Sequence, residues 1–469
     1  MSNLRSAYQL LHQGQLALAR VERAGIRIDI KSYERQIEEI NKKKKVLLDE
    51  FEQSDLAKKW NEAFGLKTNY LSGHQLSTIL YKIYKFKPPK TTSKEQGSTD
   101  EAALRSLAIT ELESLIAIRK YEKIISTYLQ SYLVHSSDGF IHPEFSLHTV
   151  ATFRSSSSNP NLQNVPARDE EAKEICRSGL FARHDHLLLE VDFSGVEVCA
   201  AATYHKDPEM LRYLHDSKSD MHGDQAYLLF LLKRFDNIIK GSGLKGDANL
   251  YRLRQASKNG FVFPQFYGDY YKNCAVNLAC NWGKLPEGSW TKDQGVPLPG
   301  NLTLGAHLIA NGIDSIEKYA EHVRKVEEDF WTRRFKVYNQ WRKNWHTSYQ
   351  KNGFFEMKTG FRCSNIMDRN QCINYPVQGV AFHWLLKTLI ETDKKMIEEH
   401  WDSRIVGEVH DSMIMDVHPD ELKTVAATIR QIACVDLKKY FPWINVPINI
   451  EIKISQVNGP WSKMTPYED

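Results

Sequence analysis

The sequence predicts a mixed α+β fold, with helices dominating the middle of the chain and strands gathered late. Three observations carry that expectation. Short apolar runs of strand length occur at 187–191 and across 404–417. Ile448, Ile450, Ile452 and Ile454 alternate with polar residues, the period-2 pattern of a half-buried strand at an edge or in a meander. Long stretches with helical apolar spacing occupy the first 60 residues, 108–133 and 316–351.

Taken in order, Leu16, Leu18, Ala19 and Val21 supply the apolar positions of a first helix. Ala24-Gly25 closes it before a short alternation over 26–30. A second helix carries the Lys42–Lys45 run. Residues 65–100 are polar and broken by Gly73, Pro88 and Pro89, so a loop-rich excursion is expected there. A helix follows from about Glu101, and 108–133 reads as another. Leu187-Leu188-Leu189-Glu190-Val191 suits a buried strand that ends on Asp192. Phe330, Trp331, Phe335, Tyr338, Trp341 and Trp345 lie near helical spacing and read mostly as core. Arg404–Val409 and Ser412–Val417 form a hairpin with His410-Asp411 at its tip.

Bulk properties exclude several classes. A 469-residue chain can bury a large core, and its net charge of +4 does not by itself call for nucleic acid. Seven cysteines without C-x-x-C spacing argue against a zinc module or disulfide scaffold and fit a reducing compartment. The N-terminus has no apolar signal core and no run of about 18 apolar residues occurs, so a cytoplasmic protein without membrane association is expected.

Two features point to phosphoryl transfer. Transfer to a 3′-hydroxyl uses two divalent cations, and Mg²⁺ prefers carboxylate oxygen. Asp192 and Asp411, at the ends of neighbouring strands, meet that requirement, although a strand-end aspartate alone is equally at home as a turn former or helix cap. In Arg252–Gly268, Arg254 and Lys258 are four apart and share a helix face suited to a triphosphate. Phe263 and Tyr267 repeat that spacing and offer rings to a base, while Pro264 should kink the helix. A solvated basic helix with core aromatics would read the same way.

The residues then resemble a known family, the polymerase region of family A DNA polymerases. LARVERAGIRID near the start and IRKYEKIISTYL at 118–129 are similar to its thumb and the lead into its palm. TFRSSSSNPNLQNVP at 152–166 resembles T-G-R-L-S-S-S-x-P-N-L-Q-N-I-P, and VDFSGVE at 191–197 resembles V-D-Y-S-Q-I-E. DMH at 220–222 is similar to D-I-H, and Arg254–Gly268 to R-x-x-x-K-x-x-x-F-x-x-x-Y-G. NYPVQGVA at 374–381 is similar to N-x-P-V-Q-G-T-A, and VHDS at 409–412 to V-H-D-E. The motifs keep the family's order and run nearly end to end.

The resemblance implies a right-hand fold with an antiparallel palm sheet and helical fingers and thumb. It places thumb and lead at 1–133, the first part of the palm at 134–208, fingers at 209–334 and the second part of the palm at 335–469. It implies a DNA-directed DNA polymerase that adds dNTPs to a primer on template DNA. Asp192 and Asp411, with the backbone of Phe193, would hold two Mg²⁺ ions. Arg254, Lys258, His222, Phe263 and Tyr267 would bind the dNTP, and Glu197 would crowd the sugar 2′ position. Arg154, Asn161, Gln163, Asn164, Asn374, Gln378 and His410 would line the primer-template. No proofreading or 5′ nuclease domain is expected. The protein would be a monomer, with exonuclease, helicase or processivity partners on other chains, and the short form loosely resembles a phage replicase.

Departures from the pattern matter. The family's glycine before Arg154 is Phe153, and its leucine after is Ser155. Gly195 replaces a glutamine and Ser412 a glutamate. One residue too many lies between Lys258 and Tyr267; with the extra residue within 259–262 Phe263 is the stacking aromatic, and without a gap Val262 and Phe266 take those places. Two other readings stand beside this one, a single-subunit RNA polymerase, which shares H-D-S, and a catalytically inert replication scaffold. Glu197 and the NPNLQN segment speak against the first, and the retained aspartates with Arg254 and Lys258 against the second.

Overall fold

The computed structural model describes residues 3–89, 91–92, 95–107, 109–167, 169–216, 218–236, 243–282 and 290–468. The chain divides into two compact units, one of Met1–Asn41, Glu122–His215 and Gln340–Asp469, the other of Lys42–Tyr121 and Asp216–Asn339.

The first unit is built on a five-stranded antiparallel sheet. Its strands are β1 (Leu187–Phe193), β2 (Arg404–Val409), β3 (Ser412–Val417), β4 (Ile450–Ile454) and β5 (Thr465–Pro466), in the order β2-β3-β1-β4-β5. β1 is central, which explains its unbroken apolar run: Leu187, Leu188, Leu189 and Val191 are all buried. The alternating isoleucines form β4 over 450–454. It is an interior strand against β1, because the two-residue β5 takes the edge. Strands β2 and β3 pair with a bulge near Ile405–Gly407, and Val409 opposite Ser412 closes the two-residue tip.

Two long helices support this sheet, α1 (Asn3–Ala24) and α6 (Arg369–Glu398), which pack on each other and on β2. The guanidinium of Arg20 grips the buried carboxylate of Asp393 across their interface, with Nε at 2.9 and 3.0 Å from its two oxygens. α6 starts on a capping box at Asp368 and Gln371, and α2 (Val196–His205) lies against it. Gly379 has a steric reason. A Cβ there would stand 2.6 Å from Met357 Sδ and from the Thr152 carbonyl.

In the second unit, residues 42–121 enclose their own core around Trp60, with Leu76, Ile79, Leu80, Leu112 and Leu115. The expected loop excursion over 65–100 therefore contains a helical segment, Gly73–Ser77 continuing to Ile83, in which Leu76, Ile79 and Leu80 are fully buried. Its polar face concealed an apolar stripe only two turns long. Helix Glu101–Ser106 begins where expected and is capped by Asp100, and the helix foreseen from 108 runs from Thr110 through Val134; Ala108 itself lies outside the described residues.

In residues 216–339, helices α3 (Ala248–Ser257), α4 (Tyr271–Asn281) and α5 (Ile316–Asp329) surround an aromatic core. Phe330, Trp331, Phe335 and Tyr338 are buried there, and Phe266 packs among all four. All seven cysteines are free thiols, and among the described residues no helix is long and apolar enough to cross a membrane.

Candidate active site

Two aspartates meet at the end of the central strand. Asp192 is the penultimate residue of β1, directly opposite Ser412 on β3 and Glu451 on β4. Asp411 sits at the hairpin tip, and its carbonyl accepts a 3.2 Å hydrogen bond from the Phe193 amide. His410 before it takes a left-handed backbone, φ 60°, which turns the chain within two residues. Burial, and then the charge of Asp411, push the Asp192 carboxyl up to about 7. Asp411 is also raised, chiefly by burial, with Glu197 adding to the shift and His410 and Arg154 opposing it.

Half-buried carboxylates that nearby cations offset only in part, Lys453 for Asp192 and His410 and Arg154 for Asp411, fit a hard divalent cation, which would supply further positive charge. Among the described residues no group of three or more His, Cys, Asp or Glu is gathered for a metal. Ser412, where a third acid was conceivable, instead donates its hydroxyl to the Val409 carbonyl at 3.0 Å and stiffens the hairpin.

Arg154 and Glu197 are brought together beside this pair. Arg154 Nη2 donates to Glu197 Oε1 at 2.6 Å, with both side chains about 30% exposed. Glu197 lies in the first turn of α2, whose N-cap Gly195 has φ 61° and open space around it. Arg154 is held through its neighbour. Phe153 has φ 57°, a backbone that favours glycine, and repays the strain by packing on Phe361 with centroids 4.8 Å apart. The Phe153 carbonyl is fixed by His383 of α6, whose other ring nitrogen bonds Thr359 Oγ1 at 2.7 Å. Burial lowers His383 to about 3 and keeps it neutral. Sequence reasoning missed His383; its only signal is a histidine four residues beyond Gly379 in an apolar run.

The other sequence-predicted residues of this unit fall into two groups. Asn161 caps a short 3₁₀ turn, accepting from the Asn164 amide at 3.2 Å, and both asparagines are exposed. Gln163 in that turn is half-buried, and its side-chain amide bonds Ser155 Oγ and Glu408 Oε2, each at 2.8 Å. Asn374 and Gln378, four apart and both half-buried, share one face of α6. Glu408 on β2 was not anticipated. It is 1% exposed and burial pushes it up to about 7.

In the second unit, α3 presents a cationic cluster. Arg254 donates twice to Asp220, Nε at 2.7 Å and Nη2 at 2.8 Å, a fork that orients the guanidinium. His222 is lowered to about 4, first by burial and then by Arg254 and Lys258, so it is neutral, and its Nδ1 has no partner among the described residues. Phe263 meets His222 edge-on at 5.6 Å, and Lys258 Nζ lies 5.2 Å from the Phe263 ring centre.

This register has a physical cause. Lys258–Val262 is a π-turn, the form a helix takes when one extra residue is inserted. The π-turn overlaps the 259–262 window; Phe263 lies beside Lys258 and His222, while Val262 is fully buried. Pro264 lies in the short segment Phe263–Phe266 that follows the π-turn without a non-helical residue between them, so it falls inside one continuous helical run, just after the i→i+5 turn has shifted the hydrogen-bond ladder. Tyr267 follows, 40% exposed, after Gln265 has anchored the segment to Glu327 and Trp331.

Residues 37–238 and 310–459 match the model of "DNA polymerase family A". DNA polymerase I of Aquifex aeolicus (strain VF5) is 26% identical over 455 residues, 95% of this chain and 67% of that protein. DNA polymerase I of Lactococcus lactis subsp. cremoris (strain MG1363) is 26% identical over 420 residues, 88% of this chain but only 42% of that protein. Among solved structures, the "POL domain of Pol1 from M. smegmatis complex with DNA primer-template and dNTP" matches with a TM-score of 0.71 and 22% identity, covering 96% of this chain and 70% of that one. That likeness speaks for the fold, a right-hand polymerase fold of helices on an antiparallel sheet.

Proposed function

This chain belongs to DNA polymerase family A, and we propose that it is a DNA-directed DNA polymerase adding dNTPs to a primer 3′-hydroxyl by two-metal-ion phosphoryl transfer. The observation that carries the reading is the Asp192–Asp411 pair, side by side at adjacent strand ends, with the Phe193 amide on the Asp411 carbonyl and both carboxyls raised by burial. The M. smegmatis domain bound to primer-template and dNTP supplies the substrate class.

Residues 134–208 and 335–469 act as the two parts of the palm, 209–334 as fingers and 1–133 as thumb and lead into the palm. Asp192 and Asp411, with the Phe193 backbone, hold two Mg²⁺ ions, which when bound acidify the primer hydroxyl and brace the triphosphate. Arg254, its fork set by Asp220, turns its remaining N–H groups to the phosphates, and Lys258 adds a point charge. Neutral His222 offers a ring nitrogen without adding repulsion, and Phe263 stacks beside the sugar and base, with Tyr267 near the template. Glu197, steadied by Arg154, closes against the sugar 2′ position. His410, Asn161, Gln163, Asn164, Asn374 and Gln378 follow the primer-template groove.

Primer extension with dNTPs and Mg²⁺ tests this reading. Asp192→Asn and Asp411→Asn should each abolish extension while leaving the fold intact by circular dichroism. Wild-type rates in either variant would remove the pair from catalysis.

A further inference from the structure

Glu408, Ser155 and Gln163 close a hydrogen-bonded ring beneath the strand that leads to Asp411. Ser155 Oγ donates to Glu408 Oε2. Gln163 Nε2 donates both to that oxygen and to Ser155 Oγ, each at 2.8 Å. An ionised carboxylate can only accept, so Gln163 must face it with its NH₂ group. Both amide hydrogens are then consumed, and the half-buried Gln163 is left with its carbonyl oxygen as the one polar atom free to meet a ligand. Ser155, one of the departures from the family pattern, completes the ring.

The consequence concerns what Gln163 can read. In the minor groove every base pair offers acceptors, adenine or guanine N3 and pyrimidine O2, and the sole donor is the guanine N2 amino group. An amide free to rotate suits all pairs; one locked carbonyl-outward suits only the donor. We infer that Glu408 is a positioning residue that locks Gln163 with its carbonyl outward, so that this position of the primer-template groove favours a base pair carrying a minor-groove amino group. The inference rests on the polymerase reading above, with Gln163 along the DNA. Arg154 and Asp411 are the charged groups acting on Glu408, with opposite sign, and at about pH 8.5 the carboxylate is ionised.

The test is single-nucleotide primer extension at about pH 8.5 on duplexes in which one guanine among the last few base pairs is replaced by hypoxanthine, which lacks the amino group, or one adenine by 2,6-diaminopurine, which gains it. At one position, hypoxanthine should lower kcat/KM roughly three- to tenfold and diaminopurine should raise it, the effect of one hydrogen bond. Because hypoxanthine also weakens pairing to cytosine, the readout is the ratio between wild type and variant on the same duplex. In Glu408→Gln the amide is free to turn and both effects should disappear; Glu408→Met serves if that variant melts early. Gln163→Met should lose them as well. No position-specific effect in wild type, or an effect that persists in these variants, overturns the inference. A wild-type protein that extends no primer at all refutes the polymerase reading instead.

Discussion

Arg154 and Glu197, 43 residues apart in sequence, form a 2.6 Å ion pair beside the two aspartates. The pair ties the proposed sugar gate to the proposed primer contact. Glu197→Ala should raise ribonucleotide incorporation relative to dNTP incorporation by roughly tenfold or more, about 1.4 kcal/mol of lost discrimination. Arg154→Ala should relax the same ratio in part, and the double variant should fall short of the sum because the two residues act as a unit. Matched rNTP and dNTP extension assays check this; an unchanged ratio in Glu197→Ala takes Glu197 out of the gate.

The aspartate pair predicts a pH-dependent response to Mg²⁺. Asp192, raised to about 7, carries a proton in the folded protein at acidic pH, and a cation must displace it. The gain in melting temperature on adding Mg²⁺ should be near zero at acidic pH and grow as pH rises through about 7, on the order of 2–4 °C per kcal/mol of binding. Comparing samples with and without Mg²⁺ at each pH cancels the opposing contribution of the buried neutral His205, His222 and His383. Asp192→Asn should show no such growth.

The π-turn register separates two neighbours. Phe263→Tyr should change discrimination against 2′,3′-dideoxynucleotides with little effect on stability, since this ring lies at the cationic cluster. Val262→Ala should leave discrimination alone and cost roughly 1–3 kcal/mol in denaturant unfolding, because Val262 is fully buried. The opposite pattern would place the inserted residue elsewhere.

Gly379→Ala should be more damaging than its single methyl suggests. The new Cβ would meet Met357 Sδ, which can yield, and the Thr152 carbonyl, which is backbone. A loss of roughly 1–3 kcal/mol is expected, with reduced extension because α6 then pushes on the loop that carries Arg154.

Phe153→Gly sets two terms against each other. Glycine removes about 1–2 kcal/mol of left-handed strain, while the packing on Phe361 is lost. Stability should therefore change little. The primer affinity of the variant should fall if the Phe153–Phe361 contact helps to place Arg154, which a KM measurement for primer-template reads directly.

Much of this protein was legible in its residues alone. The run Leu187–Val191, the hairpin around His410-Asp411 and the helix start near Glu101 declare themselves locally, because period and turn chemistry are short-range effects. The aspartate pair, Arg254 with Lys258, and Phe263 were named from spacing and resemblance. What only the tertiary structure decided depends on partners distant in sequence. The helical segment 73–83 is stable because Trp60 and Leu115 cover it, which no local pattern reveals. The fork of Arg254 on Asp220, the brace of His383 on Phe153, and the burial of Glu408 against Ser155 and Gln163 join residues 34 to 253 positions apart. A sequence shows which groups can donate, accept or carry charge; the fold chooses which of them are desolvated together, and at short range in low dielectric that choice sets protonation, orientation and reach.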